Sequence, residues 1–296
     1  MNLLPQIVAG LTPGAFFAII GVLLTLMAQL TRVVNFSQVA FGMFGGFVGM
    51  WLETGRNHLP VWLGAIIAII VTAALSAIVG WIIATWLPNA QVATRSAVTV
   101  SSLLILVAVA SVLFGASHNN YQPLLPTLPL ASFEVGGSLI TITYNLVALL
   151  LLVLATVIVL QAVLKKTMFG VRLRAISDRQ NAAELIGVNV KLLNVGIWAV
   201  SGAIISIAIS FLPSTISNDY VPFALFIIPG AAAALVGAFK NMWLAIVGGL
   251  VIGILQNLLA SSPLLWVSGL KDLFVFVVIV VFLLWNQRKE VWDVAR

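Results

Sequence analysis

The side chains able to do chemistry fall in two short stretches of an otherwise apolar chain. The first, KKTMFGVRLRAISDRQNAAELIGVNVK, runs from Lys165 to Lys191 and gathers six of the fourteen basic residues and two of the eight acids. The second is the amide and hydroxyl group Asn35, Ser37 and Gln38, followed by the glycine-rich GMFGGFVG. Neither has the make-up of a catalytic centre. His58 and His118 stand far from any carboxylate cluster and read as solvated loop residues. No spaced Ser/His/Asp set or metal-ligand cluster occurs, and no G-x-x-x-x-G-K-[ST] loop is present to cradle nucleotide phosphates. The absence of cysteine removes thiolate chemistry, thiolate metal sites and disulfides. Enzymatic activity and a resident cofactor or metal are therefore not expected. What remains is recognition by charge and by amide hydrogen bonds.

The elements that must position these groups follow from hydropathy. The chain has 296 residues, 62% of them hydrophobic and only 7% charged, with a mean hydropathy of +1.18, whereas soluble domains carry about 25% charged residues. Long apolar runs without charge read as membrane-spanning helices. A membrane barrel would show segments of about 10 residues in alternating polarity, and none is present. The fold class expected is all-α, a polytopic membrane helical bundle of eight or nine transmembrane helices. Spans are read near Ile7–Leu30, Phe36–Leu52, Val61–Leu87, Ala97–Phe114, Leu139–Leu164, Leu192–Leu212, Phe223–Phe239, Trp243–Ala260 and Leu273–Trp285. His118–Gly137 is too polar and proline-rich to cross, and ends in a Gly-Gly turn. The whole chain, 1–296, reads as a single transmembrane domain with a polar segment at 165–191.

Orientation follows from lysine and arginine in short loops. Alternating nine spans places twelve of the fourteen basic residues on one side and leaves Arg56 and Lys271 on the other. The N-terminus is then outside, and the polar segment and C-terminus are cytoplasmic. The net charge of +6 belongs to this topology and is no sign of nucleic-acid binding. MNLLPQ has no basic stretch before a short apolar one, so the first span is expected to be a retained anchor.

Within the polar segment, Ser177 followed by Gln180 is a capping-box pattern, with Asp178 suited to a helix N-terminus and Gly187 to the C′ position. A helix over Asp178–Ile186 would put Ala182, Leu185 and Ile186 on one face. Spacing alone leaves two readings open: an apolar knob that docks on a soluble partner, or a solvated loop whose cations enforce topology. The spans carry no ionisable residue near their centres, which argues against a proton- or sodium-driven carrier. Small residues recur four apart in Gly42/Gly46, Gly45/Gly49, Gly10/Gly14/Ala18 and Gly249/Gly253, a spacing that lets helices approach closely in lipid. Pro13 is expected to interrupt the first span, and Pro222, Pro229 and Gly230 to bracket the seventh. Asn35, Ser37 and Gln38, with Phe41, Phe44 and Gly45 after them, are the candidate lining of a mostly apolar passage.

Three stretches carry a family resemblance. LRAISDRQNAAELIGVNVKLL, GLTPGAFFAIIGVLLTLMAQLTRVVNFSQVAFGMFGGF and AALVGAFKNMWLAIVGGLVIGILQNLL together resemble, in order, the LivH-type permeases of branched-chain amino-acid ABC importers. The resemblance covers most of the chain apart from His118–Gly137. It implies a permease subunit that imports branched-chain amino acids or related small solutes across the bacterial inner membrane. It also implies a second homologous permease, as a heterodimer, two cytoplasmic ATPases that hold ATP and magnesium, and an extracytoplasmic solute-binding protein. Ser177, Ala182, Ala183, Glu184, Leu185 and Gly187 then belong to the segment that docks on an ATPase. Gln38 stands where the family often has histidine, and Ala40 where it commonly has an acid; both departures bear on the solute. A self-sufficient channel for urea or short amides is the alternative, and leaves the docking segment without a task.

Overall fold

The computed structural model describes residues 3–54, 59–88, 90–114, 128–135, 137–178, 185, 187, 189–213 and 220–294. Helices dominate: α1 Leu4–Thr31, α2 Gln38–Thr54, α3 Val61–Trp86 and α4 Val92–Phe114 come before a hairpin of β1 Pro129–Val135 and β2 Ser138–Thr143. Then follow α5 Tyr144–Lys166, α6 Met168–Asp178, α7 Val190–Ser210, α8 Tyr220–Ala224, α9 Ile227–Val236, α10 Met242–Ala260, α11 Leu265–Ser268 and α12 Leu270–Val294. Among the described residues, seven helices are long and apolar enough to cross a membrane. At about 1.5 Å per residue, the 26 residues of α3 exceed a hydrocarbon core of about 30 Å. The chain is a multi-pass membrane protein.

Three local expectations change. Pro13 lies inside α1, which runs on as one helix of 28 residues. The seventh span is instead divided into α8 and α9, five and ten residues long. Pro229 sits in the first turn of α9, where a missing N–H costs no intrahelical bond. The stretch before the fifth span ends in an antiparallel hairpin, with Phe133 opposite Ile140 and Val135 opposite Ser138. The fifth helix consequently starts at Tyr144, five residues after the expected Leu139.

The chain divides into two compact units. One comprises Met1–Thr25, Thr127–Val153 and Ile228–Arg296; the other comprises Leu26–Pro126 and Leu154–Ile227. In the first unit the two small-residue rows meet each other. A Cβ on Gly10 would lie 2.7 Å from the Ile254 Cα and one on Gly14 3.0 Å from the Leu250 Cα, and Gly249 lies against Ala18. Each is closer than side-chain atoms tolerate, so α1 and α10 touch backbone to backbone. In lipid, where apolar burial gives no driving force, this van der Waals contact is what holds helices together.

The second unit is built on one face of α3. Gly64, Ala68, Thr72, Ser76 and Gly80 recur every fourth residue and are all buried. Gly49 would place a Cβ 2.7 Å from the Gly64 carbonyl oxygen, and Gly202 of α7 one 2.8 Å from the Ser76 Cβ. The stripe thus receives α2 along one half and α7 along the other. Trp198 of α7, itself 1% exposed, lies over Gly80.

Candidate functional site

The polar turn between α1 and α2 lies within this second unit. Arg32 ends α1 with φ 53°, a left-handed conformation that is uncommon for a side chain other than glycine. The segment that follows is fastened to α4. Val34 N–H donates to Ser96 Oγ at 3.3 Å and Phe36 N–H to Thr99 Oγ1 at 3.0 Å. Thr99 Oγ1 in turn donates to the Val34 carbonyl at 3.1 Å. Backbone groups that leave a helix inside a membrane need partners of this kind. Serine and threonine supply them without adding charge.

Asn35, Ser37, Gln38 and Phe41 come together here, each no more than 1% exposed. Ser37 Oγ donates to Asn35 Oδ1 at 2.8 Å, and Gln38 Nε2 donates to Ser201 Oγ of α7 at 2.8 Å. The Phe41 carbonyl accepts from Thr72 Oγ1 at 3.3 Å. Asn35 Nδ2 and Gln38 Oε1 are buried and have no hydrogen-bond partner among the described residues. Buried polar atoms are paired in the great majority of cases, so this donor and this acceptor mark the turn as the polar centre of the unit.

The glycines of α2 do not open onto a space. A Cβ on Gly45 would fall 2.6 Å from the Ala68 carbonyl oxygen, and one on Gly42 would meet Ile205 and Ile209. The room these glycines leave is filled by α3 and α7. Phe44 points elsewhere, into ring contact with Phe114 at 5.8 Å between centroids. Phe47 joins the same group, 4.5 Å from Tyr220.

The polar segment begins one helix earlier than its sequence suggests. Thr167 Oγ1 accepts from Gly170 N–H at 3.0 Å, the side-chain cap of α6. The buried positions of α6 are Gly170, Leu173 and Ile176, spaced by three, while Arg172 and Arg174 are exposed. Ser177 is therefore in the last turn of α6 and is not the N-cap of a helix starting at Asp178. Ile176 and Val190 form an apolar cluster with Ala175 and Leu193, which joins the end of α6 to the start of α7. Asn189 caps α7, its Oδ1 accepting from Leu192 N–H at 3.1 Å. Between these two packed ends, Leu185 is helical and 89% exposed, and Gly187 has φ 83° in a turn. Ala182, Ala183 and Glu184 lie outside the described residues.

Two residues join the site that sequence spacing did not single out. Ser177 Oγ donates to the Gln29 carbonyl at 2.6 Å, and Arg32 Nη2 donates to the Ser177 carbonyl at 2.7 Å. No local pattern could have revealed contacts between residues 148 and 145 positions apart. Arg95 lies within electrostatic reach of Arg32 and donates to the Leu87 and Pro88 carbonyls. Arg32 thus lies near both Arg95 of α4 and the end of α6. Among the described residues, no group of histidine, cysteine, aspartate and glutamate is placed to hold a metal.

Comparison with protein families matches residues 6–283 to the branched-chain amino acid transport system / permease component family. The chain belongs to this family. It is a permease component, a transport subunit and not an enzyme. A curated relative, the probable branched-chain amino acid transport permease protein LivH of Methanocaldococcus jannaschii, is 29% identical over 252 residues, covering 80% of this chain and 74% of the relative. A solved structure, PsaBC from Streptococcus pneumoniae in complex with Fab, aligns over 95% of this permease and 91% of its own chain at 14% identity, with a TM-score of 0.48.

Proposed function

We propose that this permease is the membrane subunit of an ABC importer for branched-chain amino acids or related small solutes in a bacterial inner membrane. Its partners in this reading are a second homologous permease, two cytoplasmic ATPases and an extracytoplasmic solute-binding protein. The family match over nearly the whole chain supports it most. The polar segment adds support, because Leu185, which follows one packed helix end and precedes another, is 89% exposed. An isolated leucine in that setting is suited to a groove on another protein. Ala182, Ala183, Glu184, Leu185 and Gly187 make up the docking surface, with Ser177 behind it in the last turn of α6. ATP and magnesium belong to the partners, since this chain has no phosphate loop.

The passage runs past the polar turn, with Asn35, Ser37 and Gln38 as its polar edge and Phe41 and Phe44 as its apolar wall. Gly45 serves it indirectly, by letting α3 approach α2. Few polar contacts suit a route for apolar amino acids, because tight binding there slows release. The docking segment, which a facilitator does not need, sets this reading above a free-standing channel for urea or amides.

Reconstitution into liposomes tests the proposal. The permease, its sister and both ATPases should take up radiolabelled leucine only when ATP and a loaded binding protein are both supplied. Leucine entry at an undiminished rate through this permease alone would replace the importer reading with the channel one.

A further inference from the structure

Ser177 and Arg32 form a reciprocal clasp. The hydroxyl of Ser177 donates to the Gln29 carbonyl at 2.6 Å, while the Arg32 guanidinium donates to the Ser177 carbonyl at 2.7 Å. The Gln29 carbonyl belongs to the last turn of α1, the part of a helix whose carbonyls call for donors from outside the regular ladder. Satisfying such a carbonyl is ordinary capping when the donor is local. Here the donor comes from the far end of another helix, 148 residues on, so the same bonds tie two segments together.

Each side of the clasp leads somewhere. Ser177 is the penultimate residue of α6, eight positions before the exposed Leu185, and Ile176 beside it is held by Val190, Ala175 and Leu193. On the other side, Arg32 opens the turn whose backbone is fastened to Ser96 and Thr99 of α4. Within that turn Ser37 donates to Asn35, and Gln38 reaches Ser201 of α7. A set of hydrogen bonds thus connects the end of α6 to α1, α4 and α7 through the turn. The left-handed backbone of Arg32 fixes the direction in which its side chain leaves α1, and a strained residue of this kind persists only where its surroundings hold it.

We propose that Arg32 and Ser177 are positioning residues that carry displacement of the docking segment into the polar turn, so that ATP hydrolysis in a partner is converted into movement of the helices around Gln38. The proposal rests on the importer reading above. Neither residue touches solute or nucleotide. Their loss should therefore separate hydrolysis from transport rather than abolish both.

The measurement is solute transported per ATP hydrolysed, in liposomes carrying the full complex, for the wild type and for Ser177→Ala, Ser177→Thr and Arg32→Gln. Ser177→Ala and Arg32→Gln should assemble with the ATPases and hydrolyse ATP, yet transport roughly fivefold or more less per ATP, the lower range of coupling between distant sites. Ser177→Thr keeps the hydroxyl and should keep the ratio. A structural role alone would lower uptake and hydrolysis together and leave the ratio unchanged, which overturns the proposal. Should the alanine variant not assemble, a Gln29→Cys/Ser177→Cys pair can be bridged by a short thiol crosslinker, the native chain having no cysteine. Coupled uptake retained after bridging supports a link that stays closed through the cycle, and uptake lost on bridging overturns it. Wild-type uptake that ignores ATP would instead remove the importer reading itself.

Discussion

At the scale of single residues, the polar turn sets hydrogen bonding against burial. Gln38 and Ser201 share a 2.8 Å bond with both residues no more than 1% exposed. Inside membranes such pairs contribute about 0.6 kcal/mol on average and at most about 1.7 kcal/mol, because the unfolded chain also finds partners. A double-mutant cycle with Gln38→Met and Ser201→Ala, followed by unfolding in mixed detergent micelles, should give a coupling energy in that range. A value near zero would show that the bond does not persist in lipid. Transport should fall further than this small energy implies, since Gln38 Oε1 and Asn35 Nδ2 are among the buried amide atoms not engaged by described residues.

At the scale of elements, glycine decides which helices can meet. Gly249 lies against the Ala18 backbone and Gly49 would place a Cβ 2.7 Å from the Gly64 carbonyl, whereas Gly196 of α7 has nothing within 4 Å of an added Cβ. Gly249→Leu and Gly49→Leu should therefore lower the thermal unfolding temperature strongly or prevent folding, each exceeding the ~1–3 kcal/mol usual for overpacking because backbone must move. Gly196→Leu should leave it near wild type. Melting of the three variants in one detergent, read by gel filtration, ranks them. Equal melting for Gly49→Leu and Gly196→Leu would mean that the small-residue stripe of α3 does not pack α2.

The elements were legible to different degrees, for physical reasons. The long spans could be read because each carries its own signal: an apolar run of membrane length has few other stable fates. The small-residue rows of α1 and α10 were visible as spacing, though which row faced which depended on tertiary contact. The stripe of α3 escaped notice because only Gly64 and Gly80 in it are glycine, and Thr72 and Ser76 read as ordinary polar residues. In the polar segment the Ser177–Gln180 pattern drew the reading to a later helix, whereas the cap that forms is Thr167, followed by Leu173 and Ile176 on the buried side of α6. The hairpin has Gly-Gly between its strands, but only the second, SLITIT, is rich in β-branched residues, and the prolines upstream obscured the first. The Ser177–Gln29 bond was beyond reach, since a contact 148 residues apart leaves no trace in local pattern.

At the scale of the whole molecule, the charge pattern commits the chain to one orientation. Alternating nine spans would put twelve basic residues on one side against two on the other, a bias that insertion follows, and the orientation expected from it has the hairpin outside and the proposed docking segment in the cytoplasm. The lack of native cysteine allows a direct test with two exposed positions, Ser132→Cys in β1 and Leu185→Cys. A membrane-impermeant maleimide should label Ser132→Cys in intact spheroplasts and Leu185→Cys only in inside-out vesicles. Added ATPase subunits should then shield Leu185→Cys, because the proposed docking surface would be covered, while leaving an Arg174→Cys control on exposed α6 reactive. Labelling of Leu185→Cys in intact spheroplasts would invert the topology and place the segment out of reach of any cytoplasmic ATPase. Correct sidedness without shielding would keep the orientation and move the ATPase contact away from Leu185.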